Sequence, residues 1–183
     1  ILADSIREHY ASMTPMEEPA HNKAIERYKQ YLVLGGMPAV IQKFIDTSSI
    51  VAPTDIQNRI LNDYSADMSK YATPGLAVKI RRCYDSIPVQ LAKENRKFQY
   101  KLVQRGGTAT IFGESLDWLS FAGIISKCSL VSNGFMPLAA YVDMSDFKIY
   151  MGDVGLLTFK SGMASQVILS ETEPDNGFMG GLT

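Results

Sequence analysis

The spacing of apolar residues changes abruptly near residue 124, and this change constrains the fold more than any other feature of the sequence. Before that point apolar side chains recur every three or four positions, the period of a helix that buries one face. After it come two strand-like runs, residues 124–131 and 137–142, on either side of the turn signal Ser132-Asn133-Gly134. The spacing therefore predicts a series of helices followed by a small antiparallel hairpin.

Capping and helix-breaking residues place several of the helix ends. Gly35-Gly36 stops one helix, and Pro38 suits the first turn of a short helix that follows. Thr54-Asp55-Ile56-Gln57 matches a capping box, in which the first and last side chains each bond the other's backbone N–H. Pro88 lies inside a helical stripe at 76–91, so we expect either a kink or two abutting helices there.

The order of these elements favours a mainly α fold with a small β component. Residues 1–72 are predicted to be a lid-like helical bundle. Residues 73–143 follow the order helix, helix, helix, hairpin, with the third helix at 108–122, and this order is typical of a winged helix-turn-helix. No internal repeat divides the chain further.

Charge is distributed far less evenly than the formal net charge of -1 implies. Residues 70–105 carry nine basic side chains against Asp85 and Glu94, whereas both flanks are acidic. Such a block creates a local positive field that attracts phosphates, and aromatic residues interleaved with it suit base stacking. The alternative is that these side chains form a solvated face, or contact acidic protein surface such as the acidic flanks of this same chain. The candidate nucleic-acid-binding residues are Lys79, Arg81, Arg82, Lys93, Arg96, Lys97, Lys101 and Arg105.

Catalytic and metal-binding motifs are weak. The phosphate-binding pattern G-x-x-x-x-G-K-[ST] and the dinucleotide pattern G-x-G-x-x-G are missing, and glycine-rich residues 177–181 are typical of a linker. The remaining candidates are carboxylates one helical turn apart and two isolated histidines: Asp63 with Asp67, Glu114 with Asp117, His9 and His21. Ion-paired surface explains the carboxylates better, and no cysteine completes a zinc site. We expect no catalytic residue, cofactor or metal in this chain.

The sequence also favours a cytoplasmic location. Its longest nearly apolar run, 31–41, is about half of the ~20 residues that a membrane-spanning helix needs, and no signal peptide is visible. Cys83 and Cys128 are isolated among apolar residues, which is typical of reduced cysteines. Because the chain opens with Ile1 rather than Met, we expect it to be part of a longer polypeptide.

Five short segments, in order within residues 28–158, resemble one known family. They include Leu34-Gly35-Gly36-Met37-Pro38 near the start and Asp153-Val154-Gly155-Leu156-Leu157 near the end, and the full set is 31–41, 60–71, 86–98, 116–124 and 147–157. These segments are similar to the uncharacterised domain that follows the P-loop core in a large prokaryotic family of AAA-type ATPases. The sequence departs from that family at Gly106-Gly107-Thr108, where relatives often carry an arginine.

The resemblance implies a parent protein in three parts: an N-terminal core that binds ATP and Mg²⁺, a helical and winged-helix middle, and a nuclease-like α/β domain. This chain would be the middle part, with residues 144–183 forming the start of a truncated third part. Asp153 would lie at the start of its first helix, and the Glu-x-Lys residues of a nuclease have no counterpart before Thr183.

These inferences favour a non-catalytic module that couples nucleotide state or docks a partner, the first candidate partner being the ATPase core of the same polypeptide. The alternative is a winged helix that binds DNA through the basic residues. A third hypothesis is part of a nuclease-like enzyme. The sequence leaves open whether the chain forms oligomers.

Overall fold

The computed structural model describes residues 2–93 and 97–170, and the predicted class, mainly α with a small β component, is confirmed there. In these ranges the chain forms nine α-helices, one 3-10 helix and a two-stranded antiparallel sheet. The elements are α1 (Leu2–Ser12), α2 (Glu18–Leu34), α3 (Pro38–Thr47), α4 (Thr54–Tyr71), α5 (Pro74–Leu91), α6 (Tyr100–Val103), α7 (Ala109–Phe121), β1 (Ile125–Val131), the 3-10 helix (Leu138–Tyr141), β2 (Val142–Met151), α8 (Val154–Lys160) and α9 (Ser165–Leu169).

Glycine and proline set the ends of the helices around α2 and α3 as the sequence predicts. Gly35 adopts a left-handed φ of 72° after α2, a conformation that glycine reaches without the penalty of a Cβ, and its N–H bonds the Tyr31 carbonyl. Pro38 occupies the first turn of α3, where no N–H is needed. Pro88 does not divide its segment into two helices, because α5 runs through it as one element.

The predicted capping box at the start of α4 is wrong. The Thr54 hydroxyl donates to the Val51 carbonyl at 2.8 Å instead of accepting from the first turn. Gln57 is buried, and its amide donates to the Val33 carbonyl of α2 at 2.9 Å. The Val33 carbonyl lies in the last turn of α2, where it has no partner within its own helix and is buried. Satisfying this buried carbonyl outweighs capping the start of α4, whose free N–H groups can bond water.

The hairpin is confirmed, but its second strand begins later than the sequence predicts. β1 pairs antiparallel with β2, with Ile125 opposite Met151 and Val131 opposite Val142. The strand expected at 137–142 is wrong, since most of that segment forms the 3-10 helix and β2 starts only at Val142. Pro137 lacks the N–H that a strand ladder uses, which favours a turn-like conformation there. β2 therefore crosses the predicted boundary between the winged-helix segment, 73–143, and the segment that begins at residue 144.

A single hydrophobic cluster draws residues from all three predicted segments. Leu32 and Met68 belong to the first, Phe112 to the second and Leu157 to the third. α1 contributes nothing to it, since none of its residues is buried. The order α5, α6, α7 and hairpin lies on this shared core, and its identity as a winged helix-turn-helix and the segment boundaries stay predictions.

The end of α2 and the start of α8 are joined through one carboxylate. Asp153 caps α8 by accepting the Leu156 N–H at 2.8 Å, and its other oxygen accepts the Gly36 N–H at 2.7 Å. Gly155 lies so close to α2 that a Cβ would overlap the backbone of Leu34. Glycines therefore allow a backbone approach here that a larger residue would prevent.

Candidate functional site

The basic side chains predicted to bind nucleic acid, which lie within residues 70–105, point towards different parts of the chain. Arg81 on α5 turns towards α4, where it donates to the Ser65 carbonyl at 3.2 Å and to the Ser69 hydroxyl at 2.8 Å. Its neighbour Arg82 donates a hydrogen bond to the side-chain oxygen of Gln104, which follows α6. These contacts commit part of the block's hydrogen-bonding capacity to the chain itself.

The other predicted residues are also spread over different elements. Lys97 forms a 2.8 Å ion pair with Asp146 of β2, which ties the segment before α6 to the hairpin. Lys79, Lys93, Lys101 and Arg105 are exposed on α5, α6 and the turns that follow them. Arg96 lies outside the described residues, as do the glycines of 177–181. Arg81, Arg82 and Lys97 are therefore each held by a contact with a different part of the described chain.

The exposed stripe of α7 is acidic. Thr110, Glu114, Asp117 and Phe121 recur at helical spacing and are all exposed, and Phe121 is 97% exposed. α7 carries no lysine or arginine at all. In a winged helix-turn-helix this third helix is the one that faces the major groove, where phosphates repel carboxylates.

The tip of the hairpin carries an apolar patch that the sequence analysis did not single out. We call it the hairpin tip and define it by six residues whose side chains are largely exposed: Leu130, Val131, Phe135, Met136, Leu138 and Met144. Between Leu130 and Ser145 the only charged residue is Asp143. Several large apolar side chains exposed within one hairpin, rather than scattered singly over the surface, are typical of an interaction site.

The hairpin tip is held in shape by hydrogen bonds of its own loop. The Asn133 side chain accepts the Phe135 N–H at 3.0 Å, and the Ser132 N–H donates to the Tyr141 carbonyl at 2.9 Å. Phe135 meets Tyr141 edge to face, with ring centroids 6.2 Å apart. The apolar side chains are therefore presented by an organised loop, which lowers the entropy lost on binding.

Hydrogen bonds also organise the strand that leaves the tip. Asp143 accepts bonds from the side chain and the backbone N–H of Ser145, at 2.7 and 2.8 Å. These bonds hold the pKa of the Asp143 carboxyl below its usual value, because they favour the charged form. A β-bulge between Ser129 and Leu130 shifts the register at the same level of the hairpin.

The buried titratable groups are neutral packing residues. Burial raises the pKa of the Cys83 thiol to about 12 and also raises the pKa of Tyr84. For Tyr64, burial and the nearby carboxylate of Asp153 raise the pKa in the same direction. A thiol held in its protonated form is a poor nucleophile. Among residues 2–93 and 97–170 no group of His, Cys, Asp or Glu is arranged to hold a metal ion.

Only one signal in the sequence pointed towards the hairpin tip. That signal is the turn Ser132-Asn133-Gly134 between the predicted strands at 124–131 and 137–142, which gives the position of the hairpin and not the exposure of its apolar side chains. The exposure of Phe121 at the end of α7 was equally hidden in the sequence, since the nearby apolar residues Leu116 and Leu119 are buried.

Comparison with known proteins gives one match. The model of a family described as Domain of unknown function (DUF8612) matches residues 25–167, which include the elements from α3 to α8 and the first part of α9. No curated protein and no solved structure matches the chain. Every helix within the described ranges is too short or too polar to cross a membrane.

Proposed function

We propose that this chain, which belongs to the family described as Domain of unknown function (DUF8612), is a non-catalytic docking module of a larger AAA-type ATPase. Its hairpin tip binds the P-loop core of the same polypeptide, and the module couples the nucleotide state of that core to the rest of the protein. ATP and Mg²⁺ bind the core and not this module. We place the protein in the cytoplasm, where Cys83 and Cys128, both free thiols, stay reduced.

The exposed hairpin tip is the observation that carries this proposal. Phe135 and Met136 are 70% and 81% exposed, although each would be stabilised by about 1.5–3 kcal/mol if it were buried. Methionine-rich surfaces adapt to a partner because the side chain is unbranched and polarisable. An apolar tip with a single carboxylate suits an apolar protein surface far better than a polyanion.

The resemblance to the AAA-type family supports the choice of partner. It extends over residues 28–158, and the family match extends over nearly the same residues, 25–167. In that family the segment similar to this chain directly follows the P-loop core. The core would therefore be present at high effective concentration, so that even a small apolar contact would be occupied.

Duplex DNA binding, the alternative, is supported by Lys101 and Arg105, which lie exposed before α7. The acidic exposed face of α7 and the ion pair of Lys97 with Asp146 favour protein docking instead. Nuclease activity is the third candidate. It draws on residues 144–183, of which the structure describes only those up to Ser170.

The full open reading frame tests the first part of the proposal. We expect a G-x-x-x-x-G-K-[ST] motif encoded upstream of Ile1. A complete reading frame without this motif would refute the ATPase assignment, whatever the hairpin tip binds.

Site-specific photo-crosslinking in the full-length protein tests the docking contact. Phe135 is replaced by benzoylphenylalanine, and crosslinked peptides are identified by mass spectrometry. We expect peptides from the P-loop core, with a yield that changes between ATP and ADP. The matched control places the same group at Ile45, which is 64% exposed on α3, far along the chain from the hairpin. Equal yields at the two positions, or crosslinks confined to residues 1–183, contradict the proposal.

A further inference from the structure

Two surfaces other than the hairpin tip carry opposite charges. One is a groove of about 430 Å³ between α4 and α5, which we call the basic groove. Along α5 the lining is apolar at Pro74, Ala77 and Val78 and charged at Arg81, Arg82 and Asp85, and Ser69 lines the groove from α4. The Asp85 carboxylate is already paired with Lys160 at 2.6 Å, so the two arginines determine the sign of the charge. The two guanidinium groups carry ten N–H donors between them by their chemistry, of which the contacts to α4 and Gln104 occupy a minority.

The other surface is the exposed stripe of α7, which we call the acidic stripe and define as Glu114, Asp117 and Phe121. The spacing i, i+3 and i+7 places the three side chains on one face of the helix. Neither carboxylate has an ion-pair partner among the residues that the structure describes. Phe121 is the most exposed large apolar residue of the described chain, at 97%.

Asp117 and Phe121 of the acidic stripe match Arg81 and the apolar lining of the basic groove in order and spacing. At a helical rise of about 1.5 Å per residue, Phe121 lies about 6 Å along α7 from Asp117. On α5, Val78 and Pro74 lie about 4.5 and 10.5 Å from Arg81. An antiparallel crossing that sets Asp117 beside Arg81 therefore brings Phe121 between Val78 and Pro74, over the apolar end of the groove.

We infer that the occupant of the basic groove is the acidic stripe of a second copy of this chain. Phe121 of one copy fills the apolar end of the partner's groove, while Asp117 forms charge-assisted hydrogen bonds with the two arginines and Glu114 lies level with the Lys160–Asp85 ion pair. Aromatic residues and arginines are the usual centres of binding energy in protein interfaces. This self-association is independent of the hairpin tip, which belongs to the proposed function.

Sedimentation velocity of the purified chain tests the inference, at concentrations up to ~1 mM because a small interface of this kind is weak. We expect association that strengthens with concentration and weakens between ~50 and ~200 mM salt, as screening reduces the attraction. Phe121→Ala should weaken it by about tenfold or more. Because Phe121 is almost fully exposed, this change leaves the core intact, and circular dichroism checks the fold. Ile45→Ala is the matched control and should have no effect.

Charge reversal identifies the two surfaces. Glu114→Lys with Asp117→Lys, and separately Arg81→Glu with Arg82→Glu, should each abolish self-association, whereas a mixture of the two proteins should restore it. Asp63→Lys with Asp67→Lys on α4 is the control for added charge. A wild-type chain that stays monomeric overturns the inference, as does a folded mixture that does not associate. Loss of association on Met136→Ser would assign the contact to the hairpin tip and would also overturn it.

Discussion

Removing the Asp153 carboxylate should destabilise the protein by about 2–3 kcal/mol. The change Asp153→Ala removes the cap of α8, which is typically worth about 1 kcal/mol, and a charge-assisted hydrogen bond, worth about 1.5 kcal/mol where solvent reaches the donor. The two losses act on one residue and need not add in full. For a domain of this size the melting temperature should fall by roughly 5–10 °C.

Urea denaturation followed by circular dichroism measures this loss, with an unchanged m-value showing that the native state keeps its compactness. Asp153→Ser should retain part of the stability, because a serine still caps α8 but is too short to reach the Gly36 N–H. Asp146→Ala is the matched control. It removes a half-exposed ion pair to Lys97, so the free energy of unfolding should change by less than about 1 kcal/mol. If Asp153→Ala costs no more than this control, the joint between α2 and α8 does not hold the fold as we describe.

Three further predictions concern thiols, the hairpin and DNA. In the native protein a thiol reagent should modify only the exposed Cys128, since Cys83 is buried with a pKa near 12 and should react only after unfolding. Ser145→Ala should raise the pKa of Asp143 towards its usual value, because both the side-chain donor and part of the loop order are lost, and NMR titration of the carboxyl measures it. Fluorescence anisotropy should show no duplex DNA binding even at ~50 mM salt, and binding there that Lys101→Glu weakens equally for all sequences would instead support the winged helix as a DNA-binding module.

Much of the helical architecture could be predicted because it depends on local chemistry. Gly35 and Pro38 end one helix and begin the next through their own backbone preferences, which any neighbouring structure must respect. Gln57 could not be predicted, because its choice between a local cap and the Val33 carbonyl depends on a contact with a helix more than twenty residues away. Sequence spacing gives the period of a helix and not its tertiary neighbours.

The candidate sites show the same contrast between what local sequence predicts and what tertiary contacts decide. Residues 70–105 hold most of the basic side chains near one another in the sequence, yet Arg81 and Lys97 turn towards different elements of the chain. The direction of a long side chain depends on acceptors that the fold brings near, such as the Ser69 hydroxyl and the Asp146 carboxylate. Exposure was equally hidden at Phe135, because an apolar residue in a short run looks the same whether it faces a core or solvent.

The joint at Asp153 has a mechanical consequence, because a movement of α2 would be transmitted through α8 to the hairpin. α8 cannot slide along α2 without breaking the bond to Gly36 or driving Gly155 into the α2 backbone. β2 leaves this joint through Gly152 and pairs with the seven residues of β1, a length of about 20 Å at the usual rise of a strand, because the register shift leaves residues 144–146 without partners. A rotation of α2 by ~10° would therefore carry the far end of the hairpin through about 3.5 Å, within the scale of motion by which packed elements shift between discrete arrangements.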